Sequence, residues 1–180
     1  MPLNPVSSDP DEQSEAERLA TARRYRQSRT KELFDLVRPH LSSEPVAVGE
    51  FSSRPIESLL TIPIVGMFVA LWYRARSKHG LPAEMLLALD DSTLHLLAFK
   101  HGRMSAERAE LEPRQSWPRD SVHVSSIRRK FSREEVTFEP GDDDPLILYT
   151  IELTSNPWSA KLVRELGGEA PEPRDLGEPA

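Results

Sequence analysis

The sequence contains no cysteine. That excludes a disulfide framework, a thiolate metal site and a cysteine nucleophile, and it is neutral about compartment. The signatures of common chemistries are missing too: no glycine-rich phosphate loop, no HExxH pair and no nucleophile elbow. The five histidines, His40, His79, His95, His101 and His123, lack metal-ligand spacing. His95 and His123 alternate with apolar neighbours and read as outward strand residues. Asp142 to Asp144 lack the alternating oxygen ligands and distal Glu of a calcium loop and read as a solvated turn. No metal, cofactor or catalytic residue is therefore expected.

Hydrophobic residues are scarce, at 38% of a 180-residue chain. The length suits one domain plus tails, and the composition implies that part of the chain is not packed. Many of the sixteen prolines lie near the ends and in loops. The net charge of -6 argues against a chain devoted to nucleic acid. The acidic, polar N-terminus does not read as a secretory signal, so a cytoplasmic protein is expected.

What is present is organised around Met85–Lys100, MLLALDDSTLHLLAFK. Two apolar runs flank Asp90-Asp91-Ser92-Thr93, whose side chains bond their own backbone at reversals, so the stretch reads as a β-hairpin. The first arm is apolar at almost every position, which suits a strand buried on both faces. The second carries Leu94, Leu96 and Ala98 on one face and His95, Leu97 and Phe99 on the other.

Residues 1–10 are expected to be disordered. Residues 11–41 read as a helix, with Ser8 or Asp9 as cap and Pro10 at the first helical position. Its apolar stripe is dense only from Leu33 to Leu41, so the last turns should dock and the first should not. Arg23, Arg24, Arg26, Arg29 and Lys31 read as a solvated face. A first strand follows at Val46–Phe51, with Val46, Val48 and Phe51 inward across an irregularity at Gly49.

The stretch 56–80 is unusual. Leu59 to Tyr73 is apolar apart from Thr61 and Pro63, and it ends in Trp72 and Tyr73 followed by Arg74, Arg76 and Lys78. At about fifteen residues it falls short of the roughly 20 that a spanning helix needs. A buried or self-associating insertion, and an interfacial membrane contact through Trp72, Tyr73, Arg74, Arg76 and Lys78, are the remaining readings.

Arg103–Arg114 reads as a loop with helical tendency, followed by a short strand around Trp117. Ser121–Ile127 is a strand with a bulge at Ser125-Ser126. Arg128, Arg129, Lys130 and Arg133 form a basic turn suited to an acidic partner, nucleic acid being disfavoured for want of interleaved aromatics. Val136 and Phe138 mark another strand. Pro140–Pro145 is a turn, and Leu146–Leu153 carries Ile147, Tyr149, Ile151 and Leu153 on one side. Asn156-Pro157 starts a helix that Gly167-Gly168 stops, with Trp158, Leu162, Val163 and Leu166 on one face. Residues 169–180 read as a disordered tail.

About seven strands joined mostly by short turns and closed by one amphipathic helix resemble the pleckstrin-homology-like (PH-like) superfold. The text LLALDDSTLHLLAF, the Trp-containing strand Ser116–Val122 and the ending Ile147–Gly167 are similar to small bacterial PH-like domains. The resemblance covers 46–168, with 56–80 as an apolar insertion. It implies an α+β, mainly β fold: a curled antiparallel sheet or partly open barrel with a closing helix, here with an extra N-terminal helix. Eukaryotic lipid-binding members place a basic signature in the connection where Arg54, Arg74, Arg76 and Lys78 lie. The signature spacing is absent, so phosphoinositide binding is not implied.

The function expected is a non-enzymatic interaction module, taking a protein partner or an anionic membrane at its inner face, or self-associating through Leu59–Tyr73. The alternative is a small-ligand-binding or enzymatic β-domain that uses the cavity of the curled sheet.

Overall fold

The computed structural model describes residues 10–53, 81–99, 110–130 and 133–172. Helix α1 spans Pro10–Val37 and ends in a 3-10 turn, Arg38–His40. Seven strands follow: β1 (Ala47–Ser52), β2 (Glu84–Leu89), β3 (Thr93–Phe99), β4 (Leu111–Pro118), β5 (Val122–Lys130), β6 (Arg133–Pro140) and β7 (Leu146–Ile151). Helix α2, Pro157–Glu165, comes last. The strands form one antiparallel sheet in the order β4-β3-β2-β1-β7-β6-β5. The end strands β4 and β5 do not pair, so the sheet curls without closing.

The hairpin β2–β3 forms where its turn chemistry demands. The Asp90 Oδ1 accepts the backbone N–H of Ser92 at 3.0 Å and of Thr93 at 2.8 Å. Oδ2 accepts the N–H of Ser42 at 3.3 Å and lies 3.2 Å from His95 Nε2. Burial pushes this carboxyl up, yet the bonds from Ser92, Thr93, His95 and Ser42 outweigh it and hold the group below the ordinary aspartate range. His95 is thus half-buried against the turn rather than simply outward.

Strand β2 is buried on both faces, as its unbroken apolar text requires. Met85, Leu87 and Leu89 face the inner core with Leu94, Leu96, Val136, Phe138 and Leu148. Phe51 and Phe138 meet there edge to face, 5.3 Å between centroids, a geometry worth about 0.5–1.5 kcal/mol beyond burial. Leu86 and Ala88 face the other way, with Val48 and Leu97, beneath Leu33 and Val37 of α1. Among the described side chains of α1 the buried ones, Leu33 and Val37, lie in its last turns, while Tyr25 is 64% exposed.

Strand β1 corrects the expectation for Gly49. Its register with β2 is continuous from Ala47↔Leu89 to Ser52↔Glu84, so no irregularity occurs. Ala47 and Phe51 point inward and Val48 points to α1, the reverse of the expected alternation at Val48. Glycine is needed for space: a Cβ at Gly49 would lie 2.5 Å from the Phe51 ring and 2.9 Å from Leu162 Cδ2. Its absence lets α2 lie across β1.

Helix α2 starts as read. The Asn156 side chain accepts the N–H of Ser159 at 3.2 Å, Pro157 follows it, and Gly167 stops the helix at φ +80°. Leu162, Val163 and Leu166 cap the inner core, but Trp158 belongs to the outer cluster under α1. The single apolar face expected for these four residues is therefore split. Beyond the helix, Ala170 also lies in the inner core, and the Pro171 carbonyl accepts from Arg164 at 2.9 Å.

Two more expectations change. Residues 111–114, read as loop, are the first half of β4, which bulges where the register shifts opposite Leu96/Leu97. Arg128, Arg129 and Lys130, read as a turn, are the end of β5; Ser125 lies in the expected bulge. The stretch 59–73 lies outside the described residues, as do His79 and His101. Among the described residues no helix is long and apolar enough to cross a membrane.

Candidate interaction surface

The two halves of the sheet part between β1 and β7. Among the described residues their register contains one pair, Ser52↔Tyr149, beside which the Ser52 hydroxyl reaches the Tyr149 carbonyl at 3.4 Å. Above the seam, α2 takes over the role of a neighbouring strand. The Glu50 N–H donates to the Ser159 hydroxyl at 2.9 Å, and that hydroxyl lies 3.4 Å from the Glu50 carbonyl. The Glu50 carboxylate then ties three elements: it accepts from Trp158 Nε1 at 2.9 Å and pairs with the Arg29 guanidinium of α1.

Along β6 and β7 the register places alternate residues on the outer face. One row holds Lys130, Arg133 and Ile151; the next Arg128, Glu135 and Tyr149; the third Ser126, Thr137 and Ile147. Ile147 is 49% and Ile151 43% exposed. The stripe Ile147, Tyr149, Ile151 is thus outward, while Leu153 sits past the strand in the inner core. Both stripes of β7 are apolar, so alternation alone could not say which one faces in.

The structure brings Arg128, Arg129, Lys130 and Arg133 together on the arms of one hairpin, among acids. Lys130 Nζ lies 2.7 Å from Glu135 and 6.0 Å above the Tyr149 ring. The Tyr149 hydroxyl donates to Glu135 at 2.8 Å. Hydrogen bonds from Lys130 and then Tyr149 hold the Glu135 carboxyl below the usual glutamate range. Arg129 points to the opposite face and pairs with Glu152. Arg133 Nη1 donates to the Ser52 hydroxyl at 3.0 Å. The tip, 131–132, and Trp72, Tyr73, Arg74, Arg76 and Lys78 lie outside the described residues.

Two hollows flank the seam. One, of about 310 Å³, lies at the mouth of the curled sheet, between Ser53 and Leu81 on one side and Trp117, Asp143, Leu146 and Ile147 on the other. Its wall is tied by the Trp117 indole N–H donating to Asp143 at 2.7 Å, so Asp143 is a tether rather than a purely solvated turn residue. The other, of about 220 Å³, is a groove bordered by Tyr25, Phe99, Arg133, Tyr149, Ile151 and Trp158. Among the described residues no three His, Asp or Glu side chains gather as metal ligands would. His123 is exposed and pairs with Glu139 at 3.0 Å.

The cations of this hairpin were visible in the sequence as a run, whereas their neighbours Ser52, Tyr149 and the two isoleucines were not singled out. The signal available was the odd apolar content of the second β7 stripe. Compared with protein-family models, with curated proteins and with solved structures, the chain matches none.

Proposed function

We propose that this protein is a non-enzymatic binding module of PH-like construction that associates peripherally with an anionic membrane surface. The strand order, with β1 at the junction of two sub-sheets and α2 over the inner core, supports the PH-like part of this reading. The observation that carries the membrane part is the Arg133–Ser52 hydrogen bond. It joins the basic hairpin to the strand end from which 54–80 departs, since Ser53 precedes that stretch and bonds Ala83 beyond it at 3.1 Å. The basic hairpin therefore lies beside the two ends of the stretch whose sequence carries Arg74, Arg76 and Lys78. Trp72 and Tyr73 belong at headgroup depth, with Arg74, Arg76 and Lys78 on anionic lipid, each cation worth on the order of 1 kcal/mol and weakened by salt.

Vesicle sedimentation tests this. Wild type should bind vesicles containing phosphatidylglycerol at low salt and release at high salt, and Arg74/Arg76/Lys78→Glu should lose binding while keeping its circular dichroism. Absence of vesicle binding under all conditions would reject it. One observation favours a second reading: the mouth hollow is at the lower end of the roughly 300–1,000 Å³ of small-ligand sites. A bound small molecule found by native mass spectrometry would promote that reading.

A further inference from the structure

Among the described residues the exposed large apolar side chains are Tyr25, Ile147 and Ile151. They are not scattered. Ile147 and Ile151 stand on the outer face of β7 with Tyr149 between them, and Tyr25 borders the groove that Tyr149 and Ile151 also border. Outward residues on a strand recur about every 6.6 Å, so the β7 stripe is about 13 Å long and one residue wide. Cations run beside it: Lys130 and Arg133 in the row of Ile151, and Arg128 in the row of Tyr149. The acid within these rows, Glu135, is held by Lys130 and Tyr149.

We infer that this outer face of β7 is itself a membrane-contacting surface, Ile147 and Ile151 entering the headgroup–acyl boundary while Arg128, Lys130 and Arg133 lie against anionic headgroups. The inference rests on the membrane reading above and extends it from the insertion to the folded sheet. Two arguments select lipid as the occupant. Aliphatic side chains edged on their β6 side by cations match the interface of an anionic bilayer, apolar below and negative above, with the acids Asp143, Asp144 and Glu84 on the other side. A stripe of three or four side chains also falls far short of the roughly 20–30 residues a side of a stable protein interface.

Because the chain is cysteine-free, single cysteines can carry an environment-sensitive fluorophore in the full-length protein. Labels at Ile147→Cys, Ile151→Cys, Trp72→Cys and, on the exposed side of α2, Lys161→Cys are compared with vesicles of phosphatidylcholine alone and with equal parts phosphatidylglycerol. Blue shifts at 147 and 151 with the anionic vesicles only, and none at 161, are expected. Ile147→Glu/Ile151→Glu should lower partitioning by about tenfold or more with unchanged circular dichroism. A shift at 72 with none at 147 and 151 leaves the membrane reading standing and overturns this inference. No shift at any position overturns both. Concentration-dependent shifts at 147 and 151 without lipid, with a dimer in sedimentation velocity, overturn it in favour of a contact between copies.

Discussion

The two halves of the sheet are covered differently. Strands β1 to β3 carry apolar side chains on both faces, one against the inner core and the other under α1. Strands β5 to β7 have the inner core on one side and solvent on the other, where Ile147 and Ile151 stand exposed. A continuous apolar strand announces a second layer, and here the chain supplies it as an N-terminal helix. Strand β7 also has an apolar outer stripe, yet among the described residues no second layer lies over it.

Trp158→Ala strikes the covered half hardest. It empties a site beneath α1 and removes a donor from Glu50, so unfolding free energy in urea should fall by about 3–5 kcal/mol. A loss below about 1 kcal/mol would mean that Trp158 is not part of the cover. Leu86→Ala, fully buried under α1, should cost about 2–5 kcal/mol in the same titration.

Asp90→Ala comes next, at about 1–3 kcal/mol, because it leaves the Ser92 and Thr93 N–H groups of the turn without their acceptor. Its pH signature has a fixed sign. The folded carboxyl titrates below its unfolded value of about 3.9, so its stabilisation is present above that pH and lost as pH falls through the folded value. Wild type should therefore weaken below about pH 4 more steeply than Asp90→Asn. Parallel curves would remove Asp90 as the cause.

Ile147→Ala is the smallest effect, within about 0.5 kcal/mol, because about half of the residue is in water already. If it cost as much as Leu86→Ala, the two halves would not differ as described.

Much of this contrast was legible in the sequence. Met85–Leu89 declared a doubly buried strand, Asp90 a turn, Asn156-Pro157 a helix start and Ser125-Ser126 a bulge, because each depends on neighbours in the chain. What was not legible depends on distant ones. Gly49 looked like an irregularity, since nothing local reveals that Leu162 lies over it. Trp158 fitted a helix face with Leu162, yet Glu50 and α1 hold it on the other side. Of the candidate surface, the cations were visible as a run, but their acids come from β6 and from Glu152 after β7. Arg133 meeting Ser52, 81 residues away, has no local trace.

The single-pair seam sets an order of assembly. Hairpin β2–β3 and the meander β5–β6–β7 each close over short loops and can form early. Bringing Ser52 to Tyr149 closes 97 residues of chain, an entropic cost on the order of 4 kcal/mol for one pair of the ladder. Helix α2 supplies the compensation by packing on β1 and giving the Glu50 N–H an acceptor in Ser159. A chain from which α2 is deleted is therefore expected to keep only the Ser52–Tyr149 pair to hold its two sub-sheets together.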